Sequence, residues 1–228
     1  TGMHSKKTRH LVLILGDQLD EASSALDGFD PEQDTVLMVE AFEESTHVWS
    51  AKQRIAVFLS AMRHFAQAIQ DKAWPLYYTK LEDAGNAGTL AGELDKAIQA
   101  NKPQQLVMTA PGEWRVLQSL RSVAKKNKLT LDVRDDTYFF STVREFAEHA
   151  KGRKQLRQEF FYRELRQKTG ILMDGKKPVG GQWNFDEDNR GSFGKAGPGI
   201  LPPPTRFEPD AITLDVMQLV NDKMAKHP

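Results

Sequence analysis

The stretch His10-Leu-Val-Leu-Ile-Leu15, followed by Gly16-Asp17-Gln18, decides the fold. Five consecutive apolar residues that end at a glycine are typical of a short strand buried on both faces, as in the parallel sheet of an α/β protein. Four similar runs follow, at residues 35–40, 75–79, 105–109 and 129–133. The sequence therefore predicts five strands in one sheet.

Amphipathic helical patterns lie between these strands. The clearest has one stripe of apolar residues, at Ile55, Phe58, Leu59, Met62, Phe65, Ala66 and Ile69. Shorter patterns cover residues 90–98 and 114–124. Alternation of strands and helices predicts right-handed crossovers and an α/β, Rossmann-like, doubly wound parallel sheet over residues 11–140.

The composition is that of an ordinary globular protein. The 228 residues include 31 Lys and Arg against 31 Asp and Glu, and 39% are apolar. The absence of cysteine excludes disulfides, Cys-ligated metal sites and thiol catalysis within this chain. No apolar run approaches the roughly 20 residues that span a bilayer, so no membrane partner is expected. Residues 1–10 carry no secretory signal and are interpreted as a tag or disordered N-terminus, which makes the cytoplasm the default expectation.

The second part of the chain differs in composition. Residues 142–177 contain ten Lys and Arg against five Asp and Glu, and an apolar stripe at Leu156, Phe160, Phe161 and Leu165 predicts basic amphipathic helices over 141–175. Seven glycines and six prolines between Asp174 and Pro209 predict a long irregular linker over 176–209. Residues 210–228 are expected to begin a helical region whose apolar face needs a packing partner.

Ligands of open parallel sheets bind beyond the carboxyl ends of the strands, which selects residues 16–19, 40–47 and 110–115. None of these loops carries a G-x-G-x-x-G turn or a G-x-x-x-x-G-K-[ST] loop, so pyrophosphate binding lacks its usual support. In the third loop, Pro111 and Gly112 shape a turn before a helix, where free N–H groups favour an acceptor-rich ligand. Trp114 in this loop is expected to be a core residue.

Acidic residues mark the first two loops. Asp17 is read either as a ligand acceptor or as a helix cap. Glu40, Glu43, Glu44 and His47 are read as a polar clamp for a nitrogen-rich heterocycle or a polyol, as a metal pair within Glu-x-x-His, or as acids that complement a helix dipole. These alternatives stay open on the residues alone.

Other chemistries find less support. A hydrolytic triad is not indicated, because no serine stands in a G-x-S-x-G elbow, and His64 is expected to be structural. The basic segment is read as a solvated helix face or as a surface for phosphates, and the aromatic residues beside Arg163 favour an interface.

Several motifs resemble those of the deoxyribodipyrimidine photolyase-related proteins, the iron–sulfur bacterial cryptochromes and prokaryotic (6-4) photolyases. They run in order from about residue 11 to 190: Leu13-Ile-Leu-Gly-Asp-Gln-Leu19, Ser60-Ala-Met-Arg-His-Phe65, Asp83-Ala-Gly-Asn-Ala-Gly88, Pro111-Gly-Glu-Trp-Arg115, Phe161-Tyr-Arg-Glu164, Lys168-Thr-Gly170 and Gly180-Gly-Gln-Trp-Asn-Phe-Asp186.

The resemblance implies a two-domain flavoprotein. Its N-terminal α/β domain would hold the antenna chromophore 6,7-dimethyl-8-ribityllumazine, and a C-terminal helical domain would hold FAD and a four-cysteine [4Fe–4S] cluster. The whole protein would act as a carbon–carbon lyase that repairs (6-4) lesions in damaged DNA with light, or would sense blue light.

This chain departs from that pattern, since it has no cysteine and ends at Pro228. It is interpreted as the N-terminal antenna portion, either an expressed fragment, which is the favoured interpretation, or a naturally truncated paralogue. Without the FAD and iron–sulfur domain, it is expected to be inactive in repair and to have that helical domain as its partner.

The resemblance and the loops together predict one antenna site, with no catalytic residue and no metal in this chain. Asp17 and Glu44 would bond the ring or the ribityl hydroxyls, Gly112 and Glu113 would form the opposite lip, and Ile55 and Phe58 would pack on the ring. His47 stands where some relatives have tyrosine. The predicted chromophore-binding residues are Gly16, Asp17, Glu40, Glu44, His47, Ile55, Phe58, Pro111, Gly112 and Glu113.

Two alternatives remain. In the first, the chain is a chromophore-free module that docks on a helical partner. In the second, it is a nucleotide-binding α/β domain, but the absence of a phosphate loop argues against this alternative.

Overall fold

The computed structural model describes residues 8–43, 50–186 and 191–228. Five parallel strands form one sheet: β1 (His10–Leu13), β2 (Thr35–Val39), β3 (Leu76–Thr79), β4 (Gln105–Thr109) and β5 (Leu131–Arg134). Their order across the sheet is β3-β2-β1-β4-β5, and each neighbouring pair is parallel. The predicted doubly wound α/β sheet is therefore confirmed. The chain adds β2 and β3 on one side of β1 and then β4 and β5 on the other, so the strand order reverses at the border between β1 and β4.

Helices follow the strands along the chain. They are α1 (Lys52–Asp71), α2 (Leu90–Asn101), α3 (Trp114–Lys126), α4 (Val143–Ala150), α5 (Gln158–Thr169) and α6 (Ala211–Lys223), with a 3-10 turn at Ser24–Leu26. A short antiparallel pair, β6 (Met173–Asp174) and β7 (Lys177–Pro178), follows α5. Within the described ranges, no helix has both the length and the apolar character for crossing a bilayer.

The chain divides into two compact units. The described residues through Tyr138 form the first unit together with Pro209–Pro228, and Phe139–Glu208 form the second. The first unit contains the sheet, and we call it the α/β unit.

The alternation of residues along β1 builds two cores in the α/β unit. Leu11, Leu13 and Leu15 pack with α2 and α3, whereas Val12 and Ile14 pack with α1 and α6. Each of these side chains is at most 9% exposed, and full burial of such a side chain stabilises the fold by about 1.5–3 kcal/mol. The apolar run thus forms a strand because both faces of the sheet are covered.

Helix α6 supplies part of the second core. Val216, Val220 and Met224 are at most 2% exposed and pack with apolar residues of α1. The hydroxyl oxygens of Ser60 and Thr213 lie 3.0 Å apart at this contact. The packing partner that the apolar face of residues 210–228 requires is therefore α1 of the same unit.

The second unit differs in part from the expected basic helices and linker. Thr142 and Glu145 form a capping box that starts α4, and the rings of Phe146 and Phe161 meet edge-on, with centroids 5.1 Å apart. Leu156, however, lies outside α5 and is 54% exposed, so the predicted stripe is not one continuous buried face. The β6–β7 pair also interrupts the start of the predicted linker.

Candidate functional site

A cavity of about 290 Å³ lies at the carboxyl edge of the sheet. Its walls come from the residues that follow β1 and β2, from the first half of α1, and from the connection between β4 and α3. The side-chain nitrogen Nε2 of Gln18 donates a hydrogen bond to the backbone oxygen of Ala110 at 2.8 Å. This bond connects the loops after β1 and β4. This is the position in which open parallel sheets bind ligands.

The structure brings together the predicted site residues that it describes. Glu44 and His47 lie outside the described residues. The other eight line the cavity: Gly16, Asp17, Glu40, Ile55, Phe58, Pro111, Gly112 and Glu113.

Gly16 and Phe58 make the closest contact in the wall. A Cβ atom built on Gly16 would lie 2.4 Å from Phe58 Cζ and 2.8 Å from Met62 Sδ, both closer than real Cβ contacts. Only a residue without a side chain therefore allows the Phe58 ring to lie over the loop that follows β1. Together with the buried Ile55, this ring gives the cavity an apolar side.

Glu40 lies in the cavity wall, but its carboxylate is fully engaged inside the protein. It accepts hydrogen bonds from Arg63 Nε at 2.8 Å, Arg63 Nη2 at 3.0 Å, the Tyr78 hydroxyl at 2.6 Å and the Leu81 N–H at 2.8 Å. A carboxylate offers about four lone-pair sites, so none is left for a ligand. Glu40 thus shapes the wall rather than presenting a free carboxylate to the cavity.

Arg63 joins α1 to three acidic residues. Besides Glu40, its guanidinium contacts Glu82 at 2.7 Å and Asp215 of α6 at 2.8 Å. Burial opposes the charge of Arg63, but the hydrogen bonds and charges of Glu40 and Glu82 outweigh it and raise the pKa of the guanidinium. The pKa of Tyr78 is raised as well, mainly because the hydroxyl is buried and secondly because the negative charge of Glu40 is close. The arginine therefore remains charged and the tyrosine remains neutral at physiological pH.

The mouth of the cavity is charged. Asp17 is exposed, and its carboxylate makes no hydrogen bond or ion pair with the described part of the chain. Glu113 lies 3.2 Å from the guanidinium of Arg115, and both side chains are more than a third exposed. Asp17 is not the cap of the following helical turn, because Ser23 has that role. Its carboxylate is therefore free to accept hydrogen bonds from a ligand.

Trp114 corrects one prediction from the sequence. Its side chain is 70% exposed rather than part of the core, and Arg121 lies over its ring at 5.8 Å. The core positions of α3 are instead Val116, Leu117 and Leu120. The apolar stripe of the helix begins two residues later than we predicted.

Sequence reasoning missed two features of this site. Arg54 lines the cavity one turn before Phe58, and the helical spacing of four residues is a signal that would have placed both on one side of α1. The role of Arg63 carried no such signal, because its acidic partners come from three separate segments. No group of three or more His, Asp or Glu residues suited to a metal ion occurs in the described ranges.

The fold and the cavity define a Rossmann-like α/β domain with a cavity at the carboxyl edge of its sheet. Residues 12–228 match the model of the family described as "Deoxyribodipyrimidine photo-lyase-related protein". The chain belongs to this family, as its motifs predicted.

The chain is also similar to a curated relative, the (6-4) photolyase of Agrobacterium fabrum (strain C58 / ATCC 33970). The two are 45% identical over 211 residues, which cover 92% of this chain and 41% of the relative. The chain therefore spans about two fifths of the length of that protein.

Proposed function

We propose that this chain is the antenna-chromophore-binding domain of a photolyase-related flavoprotein, and that its ligand is 6,7-dimethyl-8-ribityllumazine. The observation that carries the proposal is the cavity at the carboxyl edge, where eight residues from four separate segments meet. Membership of the photolyase-related family supports the same assignment.

The chemistry of the walls suits this ligand. Ile55 and Phe58 offer an apolar surface for a flat ring, and the free carboxylate of Asp17 can accept hydrogen bonds from ribityl hydroxyls. Gly112 and Glu113 lie on the opposite lip, and we extend the proposal to Glu44. The ligand has no phosphate, in keeping with the absence of a glycine-rich phosphate loop.

The size of the cavity also fits a small ligand. Its volume of about 290 Å³ lies at the lower end of the range for small-molecule sites. A few hydrogen bonds at about 1 kcal/mol each, together with burial of the ring, support an affinity in the micromolar range.

The direct test is a titration of the purified chain with ribityllumazine, followed by quenching of the ligand's fluorescence and by calorimetry. Gly112→Leu would place a side chain in the lip and should weaken binding at least about tenfold, or about 1.4 kcal/mol. Gly85→Leu is the matched control, since Gly85 is also exposed, has no heavy atom within 4 Å of a built Cβ, and lies outside the cavity. No binding of the unmodified chain at tens of micromolar would refute the proposal.

For the longer protein we propose light-driven repair of (6-4) lesions in DNA, with FAD and a [4Fe–4S] cluster in its other part. The name of the Agrobacterium relative supports this proposal. The bound lumazine would supply absorption of blue or near-ultraviolet light and pass excitation to the reduced flavin. In the longer protein, Gly112→Leu should remove the lumazine band from the action spectrum of repair and leave flavin-driven repair intact.

A further inference from the structure

Most of the charged side chains in the wall of the cavity are already paired. The charged residues that line it are Asp17, Glu40, Arg54, Glu113 and Arg115. Arg63 binds the Glu40 carboxylate, and the guanidinium of Arg115 lies 3.2 Å from Glu113. In the part of the chain that the structure describes, the side chains of Asp17 and Arg54 make no hydrogen bond or ion pair. The cavity therefore offers a ligand one unpaired carboxylate and one unpaired guanidinium.

The two unpaired groups have opposite hydrogen-bonding characters. Arg54 lies in the first turn of α1, one helical turn before Phe58, so both side chains are on the same side of the helix. A guanidinium has only N–H donors, arranged in one plane, whereas an ionised carboxylate only accepts. Arg54 therefore suits an edge of a flat ring that is rich in oxygen and unprotonated nitrogen, and Asp17 suits hydroxyl groups.

We propose that Arg54 orients the ligand in the cavity, because its guanidinium donates to the carbonyl edge of the ring while the hydroxyl-rich chain lies toward Asp17. The proposal rests on the proposed function and adds the direction in which the ligand lies. It also narrows the class of ligand to flat heterocycles with a carbonyl edge. A ring that presents only donors at this edge would place donor against donor and would be rejected.

The positive charge of Arg54 has a second consequence, for the protonation state of the bound ring. A fixed cation next to an ionisable group favours its anionic form. Ribityllumazine loses a proton in alkaline solution, and its anion absorbs at a different wavelength, so absorption reports this effect. The charges of Glu113 and Arg115 largely cancel because the two side chains are paired, and Asp17 lies toward the ribityl chain. Arg54 is therefore the charge that acts on the ring.

The test titrates the full chain with ribityllumazine and with 6,7-dimethyllumazine, which has the same carbonyl groups but no ribityl chain. Arg54→Gln should weaken the binding of both ligands by the same factor, about tenfold or more, since it removes a charge-assisted hydrogen bond to the ring. At a fixed alkaline pH, the ratio of anionic to neutral bound ribityllumazine should be about tenfold lower in Arg54→Gln than in the unmodified chain. Arg54→Lys should retain most of this ratio because it keeps the charge.

The matched control is Lys52→Gln, which removes one positive charge from the same helical turn but lies outside the cavity. It should leave both affinities and the ratio unchanged. Arg54 is exposed, so the circular dichroism spectrum of each variant should match that of the unmodified chain.

The proposal is overturned if Arg54→Gln binds both ligands as tightly as the unmodified chain does, or leaves the ratio of anionic to neutral ligand unchanged. It is also overturned if only ribityllumazine loses affinity, which would place Arg54 at the ribityl chain, or if Lys52→Gln acts like Arg54→Gln. Failure of the unmodified chain to bind either ligand would instead remove the antenna function and this proposal together, so the two failures are distinguishable.

Discussion

Gly16→Ala tests the contact between the loop after β1 and the Phe58 ring. A Cβ atom at position 16 would lie 2.4 Å from Phe58 Cζ, whereas ordinary contacts begin at 3.4 Å, so the ring must move by about 1 Å. The sulfur of Met62, at 2.8 Å, must move as well. Insertion of a methyl group into a filled site costs about 1–3 kcal/mol. We expect the free energy of unfolding to fall by this amount and the cavity to be narrowed by the displaced ring.

Urea unfolding, followed by circular dichroism, measures this loss. Gly112→Ala is the control, because its Cβ would meet no heavy atom within 4 Å, and its effect should be neutral or stabilising by up to about 1 kcal/mol. Phe58→Leu combined with Gly16→Ala should recover at least about 0.5 kcal/mol beyond additivity, since the two residues touch. Equal unfolding midpoints for Gly16→Ala and Gly112→Ala, with no coupling to position 58, would refute the reasoning.

Three further predictions concern the rest of the α/β unit. Arg63→Leu should destabilise the protein by about 3–5 kcal/mol in urea unfolding, because it leaves the buried Glu40 carboxylate without its cation, and adding Glu40→Gln should recover part of the loss. Trp114→Ala should change the free energy of unfolding by less than about 0.5 kcal/mol, since the side chain is 70% exposed. A loss near about 3 kcal/mol would instead indicate that Trp114 is a core residue. The hydrogen bond between His64 and Asp210, at 2.6 Å, raises the pKa of His64 above 6.5, while the same bond lowers the pKa of Asp210 to about 2. The stabilisation due to His64 should therefore be complete below pH 6.5 and be lost as the pH rises through its raised pKa, so the difference between the wild type and His64→Gln should shrink in alkaline urea titrations.

The sheet could be predicted because its signals are local. Five adjacent apolar residues at positions 11–15 indicate burial on both faces. The loops at the carboxyl ends of parallel strands must then meet at one edge of the sheet. The same reasoning, joined to the family resemblance, predicts that Asp17, Ile55 and Gly112 lie close together, and all three line the cavity. The placement of these residues needs only the hydrophobic pattern, the topology and the motifs.

The missed parts depend on contacts between distant segments. The carboxylate of Glu40 looks like a ligand group in the sequence, and only the fold shows that Arg63, 23 residues later, occupies it. Large aromatic residues are often buried, which favours a core position for Trp114, but the buried face of α3 begins at Val116. Hydrophobicity does not determine which side chains of the first turn of a helix face the core.

The return of the chain to the α/β unit after Glu208 affects how the protein must be made. On the ribosome, the sheet and α1 emerge first, but α6 follows only after the segment Phe139–Glu208 has been translated. At about 5–20 residues per second, this delay lasts roughly 4–14 s. During that interval, the side of α1 that later contacts Val216, Val220 and Met224 is uncovered, and a nascent chain paused there presents an apolar surface that chaperones bind.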